Sequence, residues 1–340
     1  MRLARAVAVV LFVACGAPLG GAPVATSTPA PIAVAFMAGF KPQANLPFAA
    51  VYVAQERGYF RDQGLDVTIQ HSAGQSEHVQ LLATNRVQFS TGSAPDVLKR
   101  VAQSDVPLVA IALVGQRGEQ AFAVRADSGI ASPKDWEGRL VGYKGTVSAD
   151  YLALLRAAGV DRAKVREVAV GFDPRVLVER RVDVYPVFKS NEPDLLARLG
   201  VPVKLFEAAD YGVPTLGLAF ITNRETVDTR PDVVRRFLRA ALRGLADAIA
   251  DRDFAIDAVM KYAVGENREH QRFMLDAEIK EALTDQTRSN GLGWTTREQW
   301  AAQQQALLDV GAIAKAVDLE RVVTDRFLKD VYRDGRLLWP

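Results

Sequence analysis

The sequence predicts an α/β protein of two domains, the second inserted into the first, and three observations carry that prediction. Short strand-like apolar runs alternate with amphipathic helical stretches from Pro31 onward. The alternation begins afresh around SPKDWEGRLVGY and returns to a long strand-and-helix pair after ADYGVPT. A chain of 340 residues is long enough for two domains with sizeable cores. The expected division is 31–121 with 219–340 for the first domain and 122–218 for the second. Such an insertion leaves two chain crossings and a cleft, the plan of a hinge-closing binding protein.

The elements follow in order. PIAVAFMAG reads as a strand, Phe48 to Arg57 as a helix, and LDVTIQ as a strand. Glu77 to Thr84 is a helix, VQFSTG a strand, Pro95 to Ala102 a helix, and PLVAIALVG a strand. Strands alternating with helices in this way build a mostly parallel sheet, and ligands bind where the loops gather at the strands' carboxyl ends. In the second unit RLVGY is a strand, and Ser148 caps a helix that Gly159 ends. VREVAVG, a helix through Leu177 and Val178, DVYPVFK, the short helix EPDLLARLG and VKLFEA complete that unit. LGLAFITN then leads into a long helix that Pro231 opens, and the rest to Pro340 reads as almost wholly helical, packing back on the first domain.

The amino terminus has the form of an export signal: MRLAR supplies two arginines, AVAVVLFVA is apolar, and Cys15 follows Ala14. The apolar run is shorter than the roughly 20 residues that cross a bilayer as a helix. FVAC resembles the site at which bacterial lipoproteins are cleaved and acylated. The expectation is therefore a signal peptide over 1–14, a lipid on Cys15, and a tether over 15–30 too poor in large apolar residues to pack. As the sole cysteine, Cys15 has no internal disulfide partner. The alternative is a plain signal peptide that takes the cysteine with it. Both place the protein outside the cytoplasmic membrane. With 42 basic and 40 acidic residues, dispersed and nearly cancelling, nucleic acid is not an expected partner.

YVAQERGYFRDQGLDVTI, VQFSTGSAPDVLKR, SPKDWEGRLVGY, NEPDLLARLGVPV and ADYGVP resemble, in order, segments of the THI5/NMT1-like solute-binding proteins, receptors of ABC importers. The resemblance runs from about Ile32 to near Gly244. It implies a type II periplasmic-binding-protein fold and a non-enzymatic receptor. Such a receptor captures a small molecule between its domains and hands it to a membrane permease with its ATPase. Many members take thiamine pyrimidine precursors, and a branch serves riboflavin importers. The pyrimidine binders typically carry Trp, Asn and His where this chain has FKPQANLPF, without Trp or His. Riboflavin is therefore the favoured ligand, with a thiamine pyrimidine or a sulfonate-like solute as alternatives. The resemblance extends to fungal pyrimidine synthases, which are cytosolic and use a cysteine-rich motif that a chain with one cysteine cannot supply.

A flat heteroaromatic ligand needs faces to stack on and a few donors and acceptors at its polar edge. Gln43 and Asn45 offer both kinds of group, Pro42 and Pro47 stiffen their loop, and Phe48 offers a face. The competing reading makes Asn45 a helix cap and Phe48 a core residue. Ser90, Thr91 and Ser93 precede a helix start that would hold a carbonyl or an anionic edge, or simply be capped by them. In the second domain Tyr143 and Thr146 follow a strand at the expected cleft face. Asn191 and Glu192 begin a helix, where the glutamate would accept paired N–H donors from a ring edge or merely favour the helix dipole. Tyr185 and Tyr211 are further aromatic candidates at that end. His71, His78 and His270 lack metal-ligand spacing, and no P-loop, nucleophile elbow or dinucleotide fingerprint is present, so no metal, cofactor or catalytic residue is expected.

Overall fold

Two five-stranded sheets organise the chain in the computed structural model, which describes residues 6–9, 30–74 and 76–340. Cys15 and nearly all of the expected tether lie outside the described residues. The first sheet contains β1 (Ile32–Ala38), β2 (Leu65–His71), β3 (Phe89–Ser93), β4 (Leu108–Leu113) and β10 (Leu218–Asn223), in the order β2-β1-β3-β10-β4. The second contains β5 (Gln120–Arg125), β6 (Leu140–Lys144), β7 (Arg166–Val170), β8 (Val184–Phe188) and β9 (Val203–Phe206), in the order β7-β6-β8-β5-β9. Both sheets thus have the same plan. Each takes one antiparallel strand in fourth place, and that strand is the first one the chain forms after crossing over: β5 on the way out, β10 on the way back.

Strand β5 was not visible in the sequence pattern, because QAFAVR follows the polar run GQRGEQ and reads as part of a loop. Phe122, placed at a crossing by the sequence, is a fully buried residue of that strand. The crossings themselves are 114–119 and 207–217. They touch: the Gly217 N–H donates to the Gly115 carbonyl at 2.9 Å. A Cβ on Gly217 would stand 2.6 Å from the Arg117 carbonyl, so only glycine lets the two segments approach this closely.

Helices cover both faces of each sheet. Those used below are α1 (Leu46–Glu56), α2 (Ala94–Ser104), α3 (Ala149–Ala157), α4 (Glu192–Arg198), α5 (Pro231–Ala250), α6 (Arg268–Ala282) and α7 (Arg297–Asp309). Helices α1 and α5 pack across one face of the first sheet, with Tyr52, Phe237 and Leu242 fully buried there. The carboxyl-terminal stretch packs on the same lobe through Phe327, Leu328 and Val331. Near its end it forms a small hairpin, Tyr332–Arg333 against Arg336–Leu337.

A candidate ligand cleft between the lobes

Helix α6 builds the centre of the site. Asn267 caps it by accepting from the His270 N–H at 2.9 Å, which fixes the first turn and the direction of every later side chain. On one side α6 holds the loop that follows β1. Gln271 Oε1 accepts from the Ala44 N–H at 2.7 Å, and Glu278 Oε2 accepts from the Leu46 N–H at 2.6 Å. The Asn45 amide also donates to Glu278 Oε1. On the other side α6 meets the second lobe. The Ser190 hydroxyl donates to Glu278 Oε1 at 3.3 Å, and Lys189 Nζ lies 3.1 Å from Glu281 Oε1. His270 reaches Asp194 Oδ2 through Nδ1 at 2.7 Å and Asn191 Oδ1 through Nε2 at 3.0 Å. One helix therefore grips both lobes.

Between these contacts lies a small cavity of about 20 Å³, lined by Leu46, Arg117, Glu119, Lys189, Glu278 and Glu281 among others. That is space for about one water, so a ring-sized ligand enters only as the lobes part. A larger hollow of about 390 Å³ lies between α3 and α7, but it is lined mainly by Ala, Val and Gly. Its polar groups satisfy one another, as where Arg156 Nη1 donates to the Asp309 carbonyl at 2.6 Å. Convergent polar groups mark the smaller cavity as the candidate site.

The cavity is rich in carboxyl groups. Burial pushes the Glu278 carboxyl up to about 7, against the pull of the Leu46, Asn45 and Ser190 donors. Burial, and then the nearby Glu278 charge, hold Glu119 well above the usual carboxylate range. Asp150, in the first turn of α3, is raised to about 6 by burial, with Lys99 the main opposing charge. Lys189 balances part of this charge, bridging Glu281 and Glu207, the latter at 2.8 Å.

The sequence-predicted residues divide. Asn45 stands at the start of α1 without capping it and is used by Glu278, while Gln43 donates to Asn45. Asn191 lies at the lobe contact through His270. Tyr143 is half-buried at the end of β6, Thr146 is exposed just beyond it, and Tyr211 is half-buried against the second-lobe core. Ser93 caps α2, accepting from the Asp96 N–H at 3.4 Å.

Five candidates need correction. Phe48 is buried in the first-lobe core, because α1 turns that face toward α5 and the sheet. Ser90 is fully buried and donates to the Met37 carbonyl at 2.6 Å, and Thr91 beside it is likewise buried, accepting from the Gly39 N–H at 3.1 Å. Tyr185 points into the second-lobe core and donates to the Gly171 carbonyl at 3.1 Å. Glu192 is 2% exposed; its Oε2 accepts from the Phe188 N–H at 2.7 Å and its Oε1 pairs with Lys144. Both oxygens of Glu192 are spent within its own lobe, and the carboxylate that meets Asn45 is Glu278.

The residues missed were Glu278, Glu281, Glu119 and Lys189, and also His270, which sits at the lobe contact. A signal existed for α6. Gln271 and Glu278 occupy the buried stripe of a helix whose other stripe positions are Met274, Leu275 and Ile279. Polar residues on an apolar stripe need a partner elsewhere.

Comparison with known proteins places this geometry among relatives. Residues 45–255 match the family model described as NMT1/THI5 like. A riboflavin-binding protein RibY of Chloroflexus aurantiacus is 30% identical over 339 residues, 94% of this chain and 95% of that protein. A formylaminopyrimidine-binding protein of Halalkalibacterium halodurans is 31% identical over 243 residues, 70% of this chain and 72% of that protein. Among solved structures, the periplasmic aliphatic sulphonate-binding protein SsuA of Escherichia coli aligns with a TM-score of 0.68 over 88% of this chain and 93% of its own, at 14% identity. That last likeness establishes the fold, a periplasmic-binding-protein fold of two mixed α/β lobes.

Proposed function

The chain belongs to the NMT1/THI5-like family of solute-binding proteins, and from that premise we propose that it captures a flat heteroaromatic vitamin, riboflavin before others, for an ABC importer. The protein is then a receptor and not an enzyme. It works outside the cytoplasmic membrane, anchored through acylated Cys15, and delivers its ligand to a permease driven by an ATPase. The two lobes, 31–121 with 219–340 and 122–218, close on the ligand about the glycine contact between the crossings.

The observation that carries this reading is the acidic cavity. Glu119, Glu278 and Glu281 converge on it with Lys189 and Arg117. Carboxyl groups favour a ligand that offers N–H and O–H donors, such as a flavin imide with its sugar-alcohol chain or an aminopyrimidine. A sulfonate offers no such donors, and the Lys189 ammonium that could attract it is already paired with Glu207 and Glu281. The extent of the match to the riboflavin-binding relative, across nearly the whole of both chains, supports riboflavin. The formylaminopyrimidine-binding relative supports an aminopyrimidine as the second reading.

The test is to purify the protein from cells, denature it, and record the absorption spectrum of the released material. A flavin spectrum is expected. A released sulfonate, or a reproducible empty protein that binds neither vitamin when they are added, contradicts the proposal.

A further inference from the structure

Three neighbouring strands of the second sheet, β7, β6 and β8, run parallel and end side by side. Phe172 lies just past the end of β7, Lys144 ends β6 and Phe188 ends β8. Lys144 Nζ stands 5.4 Å from the ring centroids of both Phe172 and Phe188, and 4.8 Å from that of Tyr185. Its ammonium is paired with Glu192, and only 10% of its side chain is exposed. The lysine thus sits inside an aromatic box, held by cation–π attraction and an ion pair. Phe172 and Phe188 are 72% and 40% exposed. Large aromatic rings left open to solvent at the ends of parallel strands stand where such sheets receive ligands.

One of the two adjoins the lobe contact in sequence. Phe188 directly precedes Lys189 and Ser190, whose side chains reach Glu281 and Glu278 of the first lobe. We propose that Phe172 and Phe188 form the stacking surface of the second lobe, which receives the flat ring of the ligand while the carboxyl groups of α6 and Glu119 receive its polar edge. This rests on the reading of the protein as a heteroaromatic-vitamin receptor and adds the residues that select for a flat ring. Lys144 and Glu192, locked behind the rings, hold both in place before the ligand arrives, so little freedom is lost on binding. Neither phenylalanine is a polar or tyrosine side chain, yet each stands at or just past a strand end, in VREVAVGF and DVYPVF.

The experiment is a titration of riboflavin, followed by quenching of its fluorescence, with the parent protein, Phe172→Leu/Phe188→Leu and Phe188→Tyr. Stacking of a base-like ring on aromatic side chains implies a loss of about tenfold or more for the double variant. Phe188→Tyr keeps a ring and is expected to bind as the parent does, and melting temperatures should stay alike because leucine still covers Lys144 and neither ring belongs to a buried core. Unchanged affinity in the double variant, with the parent binding normally, overturns the stacking surface and leaves the receptor reading standing. Affinity and melting temperature falling together would assign the rings to holding Lys144 and overturn it too. A parent protein that binds neither riboflavin nor an aminopyrimidine overturns both.

Discussion

His270, on helix α6 of the first lobe, bonds Asp194 on helix α4 of the second through Nδ1 at 2.7 Å. Its other nitrogen reaches Asn191, and Arg198 Nη1 approaches Glu269 at 3.4 Å beside them. These contacts exist only while the lobes are together, so they weight the closed arrangement before a ligand contributes anything. Hydrogen bonds to charged groups are worth about 1.5–3 kcal/mol. His270→Ala should therefore lower the closed-to-open ratio by about tenfold or more. Solution scattering of the ligand-free protein should show a larger radius of gyration for the variant. Equal radii would mean that the contact holds nothing shut.

Buried carboxyls make stability depend on pH in a direction unusual for acids. Glu278 keeps its proton to about pH 7 in the fold, against an ordinary value of 4.5. The folded state then binds more protons than the unfolded state between those values, and stability falls as pH rises through that window. Asp150, raised from 3.8 to about 6, and Glu119, also raised, act with the same sign. Thermal melts from pH 5 to pH 8 should show this decline in the parent and a shallower one in Glu278→Ala. Parallel profiles would show that Glu278 titrates as an ordinary surface glutamate.

Glu192 is expected to be a stability residue. Removing it leaves the Lys144 ammonium, 10% exposed, without its carboxylate, and breaking such a buried pair typically costs about 3–5 kcal/mol. Glu192→Ala should unfold at clearly lower urea, with any loss of ligand affinity following from the loosened box around Lys144. Parent-like unfolding combined with a large affinity loss would return Glu192 to the ligand.

The alternation of strands and helices made the fold legible, because strand and helix periods differ and Gly and Pro mark their ends. PIAVAFMAG, LDVTIQ and DVYPVFK each became the strand expected of them. Strand β5 stayed hidden, since QAFAVR follows charged and amide residues that mask where the loop ends. The site was less legible than the fold. Sequence reading can find residues after strands, and Asn45 and Asn191 are two such residues that the structure brings against α6. It cannot tell which acid a buried amide meets 233 positions away, as Asn45 meets Glu278. Ser90 and Tyr185 show the converse error: polar groups at strand ends turned inward to satisfy nearby carbonyls.

Anchoring has its own check. Acylation of Cys15 predicts that Cys15→Ser moves the mature protein from the membrane fraction to the soluble one. Stable anchoring takes more than one acyl chain, so loss of the lipid-bearing residue should release it fully. Unchanged fractionation would remove the lipid anchor from the account.

The central claim is that one flat heteroaromatic vitamin binds between the lobes, and calorimetric titration of the purified, ligand-stripped protein with riboflavin tests it most directly. The account predicts saturable one-to-one binding that an alkanesulfonate does not displace and that Glu278→Ala weakens. In that variant the Leu46 N–H loses its acceptor in the free and the bound protein alike, which lowers stability by about 1–3 kcal/mol. No heat and no saturation with riboflavin or an aminopyrimidine, alongside saturable binding of the sulfonate, would contradict it.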